Sequence, residues 1–176
     1  MGRLEQTLRS ADGAEIAEAA LVLPLVFILL LGIVWFGRAF NIYATITQAA
    51  QQGAITAARS SCATCGNTPA TTSAVGNTVS GVLQASHLDP AQIKASASPG
   101  LLACPSPPAP PGGACTASNQ IWVCRNVWLN SAFAAQPPQC GSVVSFQYPF
   151  QFYLPFTSLN LQQIVLSAQA QSRMEN

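Results

Sequence analysis

Residues 16–36 form an unbroken apolar run in which Glu18 is the only charged side chain. As a helix, such a run rises about 30 Å, the thickness of a bilayer's hydrocarbon core. The pattern predicts one membrane-crossing helix, preceded by the polar stretch MGRLEQTLRSADG with Arg3 and Arg9. Pro24 inside the run removes one backbone donor and predicts a gentle bend. Gly32 and Gly37 offer small surfaces where another helix can approach.

From Arg38 to Arg59 the pattern changes without a proline. Phe40, Tyr43, Ile46 or Thr47, Ala50, Ala54 and Ala57 recur at steps of three and four. Asn41, Thr45, Gln48, Gln51 and Gln52 fall between them. That spacing predicts that the helix continues, apolar all round in its first half and amphipathic in its second.

Beyond Arg59 the pattern is that of a small α+β domain. Residues 60–67 break the helix, with Gly66-Asn67 as a turn signal. Residues 71–88 predict a second helix that buries Val75, Val79, Val82 and Leu83 and ends at Asp89-Pro90. Residues 93–98 alternate as a short strand. Residues 99–113 hold six prolines and read as an irregular loop. Residues 120–127 and 142–153, rich in β-branched and aromatic side chains, predict antiparallel strands, with Pro149 at an edge or bulge. Residues 159–172 fit a helix by the spacing of Leu161, Ile164 and Val165, but their end reads better as a strand that closes the sheet. The predicted fold is thus a long N-terminal transmembrane and amphipathic helix followed by a disulfide-containing α+β domain. Its divisions are a leader at 1–13, the helix at 14–59 and the domain at 60–176.

Charged residues make up 7% of the 176-residue chain and the formal net charge is +1. Nucleic-acid binding needs clustered Lys and Arg and is excluded by that composition. The low charge suits a surface covered by bilayer or by neighbouring subunits.

All six cysteines, Cys62, Cys65, Cys104, Cys115, Cys124 and Cys140, follow the membrane run. An even number confined to one side predicts disulfides in an oxidising space. It also places the N-terminus in the cytoplasm and the C-terminal part outside it. Cys104–Cys115 and Cys124–Cys140 close short local loops and are the expected pairs, with Cys62–Cys65 as the third. Cys62-x-x-Cys65 has thioredoxin spacing, yet it follows a helix rather than opening one, which removes the dipole that activates such thiols. Zinc is disfavoured by the single histidine, His87. After the leader the acids are Glu15, Glu18, Asp89 and Glu175, too scattered for paired acid–base work. No phosphate-cradling loop occurs. The chain therefore reads as a non-enzyme without cofactor or metal, and His87 reads as a capping or surface residue.

Gly13-Ala14-Glu15-Ile16-Ala17-Glu18 is similar to the processing site of type IV pilin-like precursors. There a polar leader ends in Gly and Glu is fifth in the mature chain. Val22-Leu23-Pro24-Leu25, the run from Gly32 to Phe36-Gly37-Arg38, and Ala49-Ala50-Gln51-Gln52-Gly53-Ala54 extend the likeness. In these stretches the chain resembles the TadE-like family, pilin-like proteins of the tight-adherence (Flp) pilus machinery. The polar tail around Arg173 and Glu175 is also similar. Ile55 and Thr56 depart from the Arg-Tyr common after Gly-Ala, and Ile16-Ala17 departs from the usual cleavage context.

The resemblance implies a minor pilin-like (pseudopilin) structural subunit. A prepilin peptidase would cut it between Gly13 and Ala14, and it would be held in the bacterial inner membrane. Glu18, Pro24, Gly32 and Gly37 would mediate contacts with other pilin-like subunits and inner-membrane assembly proteins, Glu18 meeting a neighbour's free amine. A removed signal peptide is disfavoured, because its apolar region is shorter and lacks an acid. The competing reading is a membrane-tethered extracytoplasmic binding module with an uncleaved, inert anchor.

Overall fold

The computed structural model describes residues 2–59, 69–101, 103–104, 115–129, 139–151 and 163–173, with only the backbone for 2–12. The chain divides into two units, Met1–Phe40 and Asn41–Asn176. One helix, α1 (Gly2–Ala58), supplies the described part of the first unit and the opening of the second, and continues through Pro24.

In the second unit α1 buries Ile46, Ala49, Ala50, Gly53, Ala54 and Ala57. These positions recur at three and four residues and form one stripe. Phe40 and Tyr43, which recur at the same three- and four-residue steps, are exposed at 73% and 49%. At about 100° per residue, Tyr43 falls on the flank of the Ile42–Ile46–Ala49 line and Phe40 nearly opposite it.

The second helix, α2 (Thr72–Ala85), buries Val75, Val79 and Leu83 as expected. Thr71 caps it, its hydroxyl accepting from the Ala74 amide at 3.2 Å. At the other end the Leu88 amide donates to the Leu83 carbonyl and the His87 amide to that of Gln84. This closing pattern needs a left-handed residue, and His87 supplies it with φ 59°. His87 is thus a helix-terminating residue. A short 3₁₀ turn, Pro90–Gln92, follows under an Asp89 cap.

Four antiparallel strands run β1 (Cys115–Ser118), β2 (Ile121–Trp128), β3 (Cys140–Phe150) and β4 (Ile164–Arg173), adjacent in that order. β1 was absent from the sequence expectations. Its connection to β2 is a two-residue turn at Asn119 and Gln120, both with positive φ (51° and 66°), a conformation usually advertised by glycine. β4 confirms the strand reading of the chain's last segment. Residues 93–98 are not a strand. Lys94 alone bridges Gln147, because β2 already holds that edge of β3 as far as Ser145. Ser96 then accepts from Trp122 Nε1 at 2.8 Å, and the Ala95 amide donates to Gln120 Oε1 at 3.1 Å.

Pro149 sits at an edge, as its chemistry requires. Gln147 turns both backbone groups toward Lys94, so the nitrogen two residues later points the same way, beyond the last paired position. Alternation then sorts the sheet's faces. Ile121, Val123, Val144, Phe146, Tyr148, Ala168 and Ala170 join the helices in the main core. Cys124, Val127 and Val143 form a smaller cluster with Leu101, Cys115 and Leu129.

The disulfides correct the expected pairing: Cys115 bonds Cys124, and Cys104 bonds Cys140. Cys115 and Cys124 are opposite one another in the β1–β2 register, a shorter closure than either expected pair. Cys104 is carried to the sheet by its amide, which donates to Asn126 O at 2.8 Å. Cys62 and Cys65 lie outside the described residues, as does most of the proline-rich segment.

Candidate membrane and assembly site

The residues singled out for processing and assembly all fall on the first unit's helix. Gly13 and Ala14 are helical and exposed, as is Glu18. Glu18 lies four residues beyond Ala14, so the two share a face about 6 Å apart along the axis. Pro24 is within the helix, and at Gly32 and Gly37 an added Cβ would meet nothing within 4 Å. Those glycines leave open notches on an otherwise bulky rod.

The rod is apolar on every side. Leu21, Leu25, Ile28, Ile33 and Phe36 are each more than 60% exposed. It is the one helix among the described residues that is long and apolar enough to cross a membrane, and none of its apolar window is buried within the chain. In water each such side chain forgoes about 1.5–3 kcal/mol of burial, which a bilayer or neighbouring helices would restore. At the run's far end the Arg38 guanidinium stands 5.8 Å from the Trp35 ring centroid, within cation–π range.

The second unit holds polar groups of structural character. A bulge in β2 between Cys124 and Val127 leaves Arg125 and Asn126 outside the ladder, Asn126 with φ 52°. It aims Arg125 at α2's start, where the guanidinium donates to the Ala70 carbonyl and, at 3.4 Å, to Thr72 Oγ1. Burial lowers the Arg125 pKa. Tyr148 donates to the Asp89 carbonyl at 3.3 Å, and desolvation raises its pKa. No group of three His, Cys, Asp or Glu side chains able to hold a metal occurs among the described residues. Sequence reasoning missed the Arg125 bulge; nothing in Arg125-Asn126 distinguishes a bulge from continued strand.

Residues 13–54 match the family model described as TadE-like protein. The matched stretch coincides with the apolar rod and the first buried turns of α1. It points to a pilus-associated, structural protein with an N-terminal apolar helix. No curated protein and no solved structure matches the chain.

Proposed function

We propose that the chain is a minor pilin-like subunit of tight-adherence pilus assembly, inserted in the inner membrane through α1 with its leader in the cytoplasm. The observation that carries this reading is the apolar rod beginning next to Gly13, none of whose apolar window is buried, inside the stretch that matches the TadE-like model. A prepilin peptidase cuts between Gly13 and Ala14 and leaves the rod on the product. The new α-amino group of Ala14 and the Glu18 carboxylate then occupy one helical turn.

In the bilayer a lone carboxylate is costly, about 2.5–3.5 kcal/mol at mid-depth and less toward the interface. Pairing with the amine of an adjacent subunit relieves that cost, and low dielectric strengthens the attraction. Glu18 therefore selects neighbours and sets their stagger, while Gly32 and Gly37 let helices close together. Other pilin-like subunits and inner-membrane assembly proteins are the partners. The disulfide-stapled unit remains on the oxidising side.

Glu18→Ala tests the assembly role. Processing is expected to persist, while co-purification with pilin-like partners from membranes is lost. Undiminished co-purification and normal pili would contradict the role assigned to Glu18.

A further inference from the structure

Phe36, Phe40 and Tyr43 are spaced by four and three residues on α1, and therefore line one face. Their exposures are 73%, 73% and 49%. Two of them lie past Arg38, where the uninterrupted apolar run has ended. Arg38 and Asn41 are exposed as well, on the opposite side of the helix. Just past the run, then, α1 is two-sided: aromatic along one face, cationic and amide-bearing along the other. Trp35, with Arg38 over its ring, stands at the junction.

We propose that Trp35, Phe36, Phe40 and Tyr43, together with Arg38, form an anchor for the headgroup layer on the bilayer's non-cytoplasmic side. This inference rests on the membrane insertion proposed above. The choice of a lipid interface over a second helix follows from position and chemistry. Counting from Ile16, about 30 Å of rise ends at Phe36, so the aromatic face begins where the hydrocarbon ends. Phe36 to Tyr43 rises about 10 Å more, enough to carry the aromatic face through a headgroup layer about 5–8 Å deep. Trp and Tyr favour that zone because each has an apolar body and a polar tip. Arg38 is placed to meet lipid phosphate while its stem covers apolar surface.

The two-sidedness has a consequence for geometry. Lipid draws the Phe36–Phe40–Tyr43 face inward while the Arg38–Asn41 face seeks the phosphates and water. The helix therefore leaves the bilayer tilted toward its aromatic face. The tilt fixes the rotation of α1 about its axis, and so the direction in which Glu18 points at the other end.

The test uses the full-length, oxidised chain in vesicles of zwitterionic and anionic phospholipid. A fraction of the lipid is brominated either near the carbonyl end or near the methyl end of its acyl chains. Subtracting the Trp35→Phe protein from the parent isolates Trp35 fluorescence. Subtracting the parent from Phe40→Trp isolates position 40. Neither change touches the core of the second unit. Both signals are expected to be quenched at least about twofold more by carbonyl-end than by methyl-end bromine, as an interfacial site requires. Stronger quenching by methyl-end bromine, or quenching at 35 with none at 40, would overturn the anchor while leaving insertion intact. No quenching at either position by any lipid would overturn insertion itself, and the anchor with it.

Discussion

Gly53 of α1 lies so close to Val79 of α2 that a Cβ built on the glycine would come within 2.7 Å of the Val79 Cγ2 atom. Val144 of β3 stands at 3.4 Å from the same point, so helix, helix and sheet converge there. Gly53→Ala would gain about 1 kcal/mol of helix propensity. Val79 is fully buried and its β-branched side chain has little freedom to yield. The overpacking, about 1–3 kcal/mol, is expected to win. Thermal unfolding followed by near-ultraviolet circular dichroism should show a lower Tm, partly restored in the Gly53→Ala/Val79→Ala double variant. An unchanged or raised Tm for the single variant would place the helices farther apart.

A similar closeness exists at Gly141, where an added Cβ would run into the Ser172 carbonyl oxygen and the Leu129 side chain. A backbone carbonyl held in the β3–β4 ladder cannot rotate aside as a side-chain tip can. Gly141→Ala is expected to cost more than Gly53→Ala, at the upper end of about 1–3 kcal/mol. Comparing the two variants under identical conditions checks the order.

The disulfides carry a second expectation. Peptide mapping without reduction should recover Cys104 linked to Cys140 and Cys115 linked to Cys124. Recovery of Cys104–Cys115 would contradict the hairpin. The sequence separations are 36 and 9, so the chain-entropy relation assigns about 4 and about 2.5 kcal/mol respectively. Replacing Cys104 and Cys140 together by Ala should therefore lower stability more than replacing Cys115 and Cys124.

His87 holds a left-handed conformation that costs an ordinary residue about 1–2 kcal/mol and glycine almost nothing. His87→Gly is expected to raise stability by about 1 kcal/mol, and His87→Val to lower it. A destabilised glycine variant would mean that the imidazole contributes more than its backbone position.

Tyr148 contributes a loss of stability at alkaline pH. Its pKa is raised in the folded state by desolvation, so the folded protein holds the phenolic proton more tightly than the unfolded chain. That contribution is complete until pH reaches the unfolded pKa and is lost as pH climbs on through the higher folded one; the unfolded value is about 10. The stability–pH curve should fall above that value, and Tyr148→Phe should flatten the fall. Equal slopes in the two proteins would show that other groups control it.

Legibility in the sequence followed the strength of local periodicity. The helix from Ile16 onward, α2 and the strand character of β2 and β3 were readable because each repeats its apolar positions at the period of its own geometry. The final strand was readable only at its end, since Leu161, Ile164 and Val165 suit either period. The side taken by Phe40 and Tyr43 was not readable, because hydrophobicity at helical spacing does not distinguish a core stripe from an exposed one. β1 was hidden by its four residues and by a tight turn built from Asn119-Gln120 instead of a glycine pair. With β1 missing, the cysteine pairing followed the wrong loops. Residues 93–98 alternate like a strand, but β2 already holds β3 as far as Ser145, and of the six only Lys94 bridges it. The candidate processing and assembly residues came from the resemblance, while the exposed Phe36–Phe40–Tyr43 face emerged only from the exposures along α1.

The most direct measurement is the intact mass and N-terminal sequence of the chain recovered from membranes of cells that contain an active prepilin peptidase. The account predicts a polypeptide that begins at Ala14 and keeps α1 through the rod. A chain still beginning at Met1, or one that has lost residues 16–36, would contradict it.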